Sequence, residues 1–191
     1  MKFELLICSF IVLIFIIVIY YIFRKNGIYV KSYIDEHYYF VSDLPNKQEI
    51  ADLLAQLKLN VKILLKYMKE HPNSKYTEYV NRLDNKINKV IITENTTENY
   101  TSYSVNKGEE LVICVRSRET GKLHNINLIM YVVLHEISHI MCPIYDNHGP
   151  LFQEIFKYVL EEAVKANVYQ KIDFNKFPVE YCGLQIKTNI I

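Results

Sequence analysis

The stretch VVLHEISHIMCPIYDNHGPLF, residues 132–152, decides how the chain is read. It carries three of the six histidines of the chain, His135, His139 and His148. The first two frame a glutamate in the order His135-Glu136-Ile137-Ser138-His139, an H-E-x-x-H pattern. On a helix, side chains at i and i+4 leave from one face with their Cβ atoms about 5–6 Å apart. Two imidazoles so placed converge on one zinc ion at roughly 2.0–2.1 Å each. Glu136 lies one step round the helix from His135. From there it reaches a zinc-bound water without crowding the metal, as a general base must.

The pattern has this meaning only on a helix. Ile126, Ile129, Met130, Val133, Ile137 and Ile140 recur at helical spacing and predict a helix over residues 125–142 with one buried face. Pro143 predicts its end near Cys142, because the residue before a proline avoids the helical region. The turn that follows, with Asp146 and Asn147 as turn formers, brings His148 back as the third ligand. Gly149-Pro150 then opens a helix over residues 150–167, whose buried stripe is Leu151, Ile155, Phe156, Val159, Leu160 and Ala163. Three protein ligands leave the fourth zinc position to water, as catalytic sites require. A structural zinc would close that position with a cysteine or histidine and has no use for Glu136. A histidine-bearing helix with no metal is the plain alternative. Cys142 is read as a small buried residue, Tyr145 as a possible donor to an oxyanion, and His37, His71 and His124 as surface or loop residues.

Upstream, Ile50, Leu53, Leu54, Leu57, Val61, Leu64, Leu65 and Met68 form an amphipathic helical stripe. It starts after Pro45 with an Asn46-x-x-Glu49 box and ends before His71-Pro72-Asn73. A weaker helix runs over residues 77–88. Two or three strands follow in KVIITEN and TSYSVNKGEELVICVRSR, the last over residues 110–115, with Asn106-Lys107-Gly108 as a hairpin turn. A short strand is expected over residues 181–186. Helix, strands, helix, helix is the order of a small α+β domain.

Residues 5–23, LLICSFIVLIFIIVIYYIF, hold no charge, glycine or proline. As a helix they measure roughly 28 Å, close to the hydrocarbon thickness of a bilayer. They are read as an uncleaved transmembrane anchor, since no small-residue cleavage site follows. The expected organisation is therefore an anchor (1–25), a tether (26–45) and a zincin-like metalloprotease domain (46–191). Arg24, Lys25 and Lys31 place that domain in the cytosol by the positive-inside rule. Two glycosylation sequons, Asn95-Thr96-Thr97 and Asn99-Tyr100-Thr101, oppose this side. Of the four cysteines, Cys114, Cys142 and Cys182 are widely spaced beyond the anchor, and reduced thiols are expected. With 22 basic and 21 acidic residues the chain is nearly neutral, which argues against a non-specific grip on nucleic acid.

VNKGEELVICVRSR, LIMYVVLHEISHI and HGPLF together resemble the WLM metalloproteases, relatives of the SprT and Spartan proteases. The resemblance rests on Asn106, Gly108, Arg116, Arg118, His135, Glu136, His139, His148 and Phe152, with the helix near residue 50 as the family's opening helix, and covers about residues 47–165. It implies a zinc protease held by the three histidines with Glu136 as base. The strand runs about two residues longer after the glycine than the family pattern, the gap between the second and third histidines is longer than in WLM proteins, and the His148-Gly149-Pro150-x-Phe152 order is closer to the SprT-like one. Relatives acting on DNA–protein crosslinks carry DNA-, SUMO- or ubiquitin-binding segments; no such segment is found here, so the DNA-repair role does not carry over.

The reading is a membrane-anchored zinc endopeptidase acting on a protein or peptide substrate. The strand over residues 110–115 is expected to pair with that substrate, and Arg116 and Arg118 to hold acidic groups or cap a solvated strand end. The other reading is a catalytically silent zincin-fold module, structural or interacting, of a membrane or viral envelope.

Overall fold

The structure, a computed structural model, describes residues 10–15, 27–97, 100–143 and 148–191. They form a small mixed α/β domain. A hairpin of β1 (Ile28–Lys31) and β2 (Tyr38–Val41) is followed by the helices α1 (Lys47–Glu70) and α2 (Thr77–Ile87). Then come β3 (Ile91–Glu94), β4 (Tyr103–Val105) and β5 (Glu110–Ile113), the helices α3 (Ile126–Met141) and α4 (Pro150–Lys165), and a last hairpin of β6 (Val179–Tyr181) and β7 (Leu184–Ile186). α1 buries Ile50, Leu54, Leu57, Val61, Leu64, Leu65 and Met68, the stripe seen in the sequence, and α2 adds Val80, Leu83 and Ile87. Both pack into one core with the buried faces of β5, α3 and α4.

The central sheet has the order β3-β5-β4, with β3 parallel and β4 antiparallel to β5. β5 thus has a neighbour on each side. The expectation that this strand pairs with substrate is corrected: the free edge facing the helices belongs to β4. Asn106, Lys107 and Gly108 turn β4 into β5, all with positive φ. A Cβ on Gly108, at φ 101°, would stand 2.8 Å from the Ile140 side chain, so only glycine lets this turn sit against α3.

Several expectations are corrected. No helix among the described residues is long and apolar enough to cross a membrane. The transmembrane helix of the expected fold, and the single-pass membrane placement drawn from it, are accordingly set aside. Of residues 5–23 only 10–15 are described, in helical form, and the remainder lies outside the described residues. The stretch 26–45, expected as a tether, contains the β1–β2 hairpin, which buries Tyr39 and Val41 in the core. The thiols are not all reduced: Cys114 and Cys182, 68 positions apart, form a disulfide with their Cα atoms 6.4 Å apart, while Cys142 is buried outside it. The Asn46 side chain does not cap α1; its carbonyl oxygen accepts from Arg116 instead.

Arg116 does not face an acidic partner from outside. Its Nε donates to Glu94 at 3.0 Å, and the other Glu94 oxygen accepts from the Ser42 amide at 2.6 Å. The pair joins the end of β2, the entry to α1, the end of β3 and the strand exit after β5. Arg118 is exposed, and its guanidinium donates to the carbonyls of Thr97 and Tyr100. The Glu94 side chain is 2 % exposed and that of Arg116 19 %. Removing one member leaves a buried charge unpaired, which costs about 3–5 kcal/mol. Arg116→Ala is therefore expected to lower the stability of the domain by roughly 3 kcal/mol in urea unfolding; a change below about 1 kcal/mol would show the pair to be energetically idle.

Candidate metal centre

The α3 helix begins at Asn125, whose side chain accepts from the Asn127 amide at 2.8 Å. This cap fixes the helix phase that puts His135 and His139 on one face, their ring centroids 4.9 Å apart. The helix ends before Cys142, whose φ/ψ is already extended ahead of Pro143. The chain returns at His148, directly before Gly149 and Pro150 at the start of α4. The three Nε2 atoms then form a nearly equilateral triangle: 3.2 Å from His135 to His139, 3.1 Å from His139 to His148, and 3.2 Å from His148 to His135. Asp146, Asn147 and Tyr145, expected in the intervening turn, lie outside the described residues.

Phe152 is the floor of this triangle. Its ring is fully buried, stacks on His139 at 4.3 Å, and meets His135 and His148 edge-on at 5.0 and 4.9 Å. It comes from the first turn of α4, so the packing of α4 on α3 and the placing of the third imidazole are one event. His124, His71 and His37 stay away from the cluster. His71 stacks on Tyr67 in the last turn of α1, and His37 turns back on the Asp35 carbonyl. His124 lies in the loop before α3, as expected, but is half-buried: its Nε2 accepts from the Cys182 amide at 3.3 Å and its ring lies 5.0 Å from that of Tyr181. Nothing in the spacing of the sequence announces this contact across 58 positions.

Three imidazole nitrogens this close cannot all satisfy one another, because each neutral ring brings only one N–H. A cation at their common focus satisfies all three. Ligands at roughly 2.0–2.1 Å from a tetrahedral zinc stand about 3.3–3.4 Å apart, so the triangle fits such an ion with little adjustment. Protonation of His135 and His139 is disfavoured. Burial, then repulsion from the other two rings, pushes His135 down to about 3; burial, then His148 and Lys107, pushes His139 down to about 4. Neutral imidazole is the form that binds metal.

Glu136 faces the same cleft from a buried position. Its carboxylate accepts from the Ser104 amide, and burial, only partly offset by that bond, pushes its pKa up to about 7. An acid so tuned exchanges protons near neutral pH. The cleft holds about 310 Å³ and is walled by Ser102, Tyr103 and Ser104 of β4 and its approach, by Lys107, and by the three histidines and Glu136. Lys107 donates to the Cys142 and Pro143 carbonyls at 3.2 and 3.1 Å, tying the β4–β5 turn to the end of α3.

Comparisons with known proteins add relatives from viruses. The chain is 40% identical to uncharacterized protein R325 of Acanthamoeba polyphaga mimivirus over 171 residues, 88% of this chain and 86% of that protein. It is 27% identical over 110 residues to uncharacterized protein 136R of Invertebrate iridescent virus 6, covering 56% of this chain and 58% of that protein. It is 30% identical over 87 residues to uncharacterized protein 042R of Invertebrate iridescent virus 3, covering 46% and 52%. No protein-family model matches the chain. The crystal structure of Wss1 from Saccharomyces cerevisiae aligns with a TM-score of 0.48 at 19% identity, over 65% of this chain and 84% of that one. That overlap is too loose to speak for fold or chemistry.

The two kinds of buried group act on the metal-free protein with opposite sign. His135 and His139 are held below their ordinary value, so the unfolded chain takes up protons first as pH falls; their contribution is present above about pH 6.5 and lost toward pH 3–4. Glu136 is held above its ordinary value, so its burial costs nothing below about pH 4.5 and most above pH 7. Glu136→Gln is therefore expected to raise the urea midpoint of metal-free protein at pH 7.5, by up to about 3 kcal/mol in stability, and to leave it unchanged near pH 4. An offset that does not grow with pH would contradict the buried carboxyl.

Proposed function

The chain belongs to the same family as mimivirus protein R325, and we propose that it is a zinc-dependent endopeptidase. The observation that carries the reading is the triangle of three imidazole nitrogens 3.1–3.2 Å apart, with a buried carboxylate from the next residue in the same cleft. His135, His139 and His148 would hold the ion. When bound, it supplies Lewis acidity that acidifies water and polarises a carbonyl.

The rest of the work falls to the chain. Glu136 takes the proton of the attacking water and passes it to the departing amine, a role suited to a carboxyl whose pKa lies near neutrality. The amide of Ser104 holds that carboxylate toward the cleft in the meantime. A protein substrate lies extended along β4, the edge strand that walls the cleft, with main-chain hydrogen bonds giving affinity and the neighbouring side chains giving selectivity. The aromatic floor formed by Phe152 keeps the imidazoles from turning away when a peptide presses on them.

Glu136→Gln tests the reading. The variant is expected to keep one zinc per chain and to lose peptide hydrolysis by about 10²–10⁴-fold, the usual contribution of a positioned acid–base group. Zinc content by mass spectrometry and a peptide-library digest measure the two halves. Undiminished cleavage in the variant would remove Glu136 from the chemistry.

A further inference from the structure

The wall of the cleft is held from behind by the last hairpin of the chain. The β4–β5 ladder ends with Tyr103 opposite Val112. Beyond it, side chains take over the pairing. The Cys114 amide donates to Ser102 Oγ at 2.9 Å, and the Tyr181 hydroxyl donates to the Cys114 carbonyl at 2.7 Å. Tyr181 Oη and Ser102 Oγ stand 2.7 Å apart. The one phenolic proton is committed to Cys114, so Ser102 is the donor in that contact. The three bonds close a ring through Cys114, Ser102 and Tyr181 in which every donor has an acceptor.

A covalent tie lies beside the ring. Cys114 is disulfide-bonded to Cys182, the neighbour of Tyr181. Cys182 and Gly183 turn β6 into β7 with φ of 52° and 84°. Two positive φ values in a two-residue turn suit Asn-Gly rather than a cysteine, so packing and cross-link hold Cys182 where its own preference would not. The Tyr181 ring is buried beside His124, and burial, then the nearby Glu136 carboxylate against the Ser102 bond, keeps its hydroxyl protonated. By contrast β4 is three residues long, lies at a sheet edge and pairs on one side only. Such a strand has little stability of its own. Yet Ser102 and Tyr103 line the cleft, and the Ser104 amide holds Glu136.

We propose that the C-terminal hairpin is a clamp on the cleft wall, with Tyr181 as a positioning residue whose hydroxyl, acting through Ser102, sets the edge strand β4 against the three histidines. The clamp is a statement about structure; only its kinetic consequence rests on the peptidase reading.

The test uses the full zinc-loaded chain and two readouts. Tyr181→Phe keeps the ring and removes the hydroxyl. Amide hydrogen exchange over residues 102–105 is expected to quicken roughly three- to tenfold, the worth of a hydrogen bond in a locally opening segment, with zinc content unchanged. Peptide cleavage is expected to show a raised KM and a lowered kcat, because the wall that receives substrate and the Ser104 amide that holds Glu136 are loosened together while the metal remains. Cys114→Ser with Cys182→Ser is expected to add to the exchange effect. If Tyr181→Phe does not fold, Ser102→Ala opens the same ring and is read in the same way. Unchanged exchange over residues 102–105 in a folded variant overturns the clamp, whatever the kinetics. Quickened exchange in a protein that cleaves no peptide, even as zinc-loaded wild type, upholds the clamp and removes the peptidase reading.

Discussion

Three imidazole nitrogens pointed at one another across 3.1–3.2 Å are the constraint around which the molecule is arranged. The arrangement is unfavourable for neutral rings alone and favourable around a cation. To produce it, α3 must keep His135 and His139 in phase over one turn, stop at Pro143, and hand the chain to α4 with His148 at its threshold. The ring of Phe152 then touches all three imidazoles at once. Core packing between two helices and the geometry of the site are therefore the same set of contacts. Burial keeps the rings of His135 and His139 neutral well below the ordinary histidine range, which leaves their lone pairs available.

The sheet supplies what the helices lack. Glu136 leaves the buried side of α3 and would be a costly lone carboxyl there, but the Ser104 amide meets it from the edge strand β4. That strand is in turn positioned from three directions: by β5 along the ladder, by the glycine turn seated on Ile140, and by Ser102, Tyr181 and the disulfide at its far end. Two residues beyond Cys114, Arg116 and Glu94 lock the exit of β5 to β2, β3 and the entry of α1. The cleft is thus bounded by elements that are each fixed by a specific polar or covalent tie as well as by apolar packing.

What the sequence discloses follows from the range of the forces involved. The helices carry their own periodicity, so α1, α2, α3 and α4 stand within a few residues of where the apolar spacing puts them. His135, Glu136 and His139 are bound by one helical turn, and His148 and Phe152 lie at a helix start marked by Gly149-Pro150. Sheet order is not local: nothing within TSYSVNKGEELVIC says that the second strand lies in the middle and the first at the edge. The disulfide joins residues 68 positions apart and the contact of His124 with Cys182 spans 58, so spacing is silent on both. The hairpin at residues 28–41 is short and rich in tyrosine, and takes its stability from α1 rather than from its own pattern. The apolar run at residues 5–23 is read as an anchor from its length, its lack of charge and the absence of a cleavage site; only residues 10–15 of it are described, and no helix among the described residues is long and apolar enough to cross a membrane.

The central claim is that the three histidines share one ion and leave a position for chemistry. X-ray absorption at the zinc edge, on the full chain loaded with one equivalent, tests it most directly. The account predicts a first shell of nitrogen and oxygen only, at roughly 2.0–2.1 Å, with the outer-shell pattern of three imidazoles. A sulfur neighbour near 2.3 Å, which would place Cys142 or another thiol in the shell and close the site, contradicts it, as does a zinc ion with no imidazole around it.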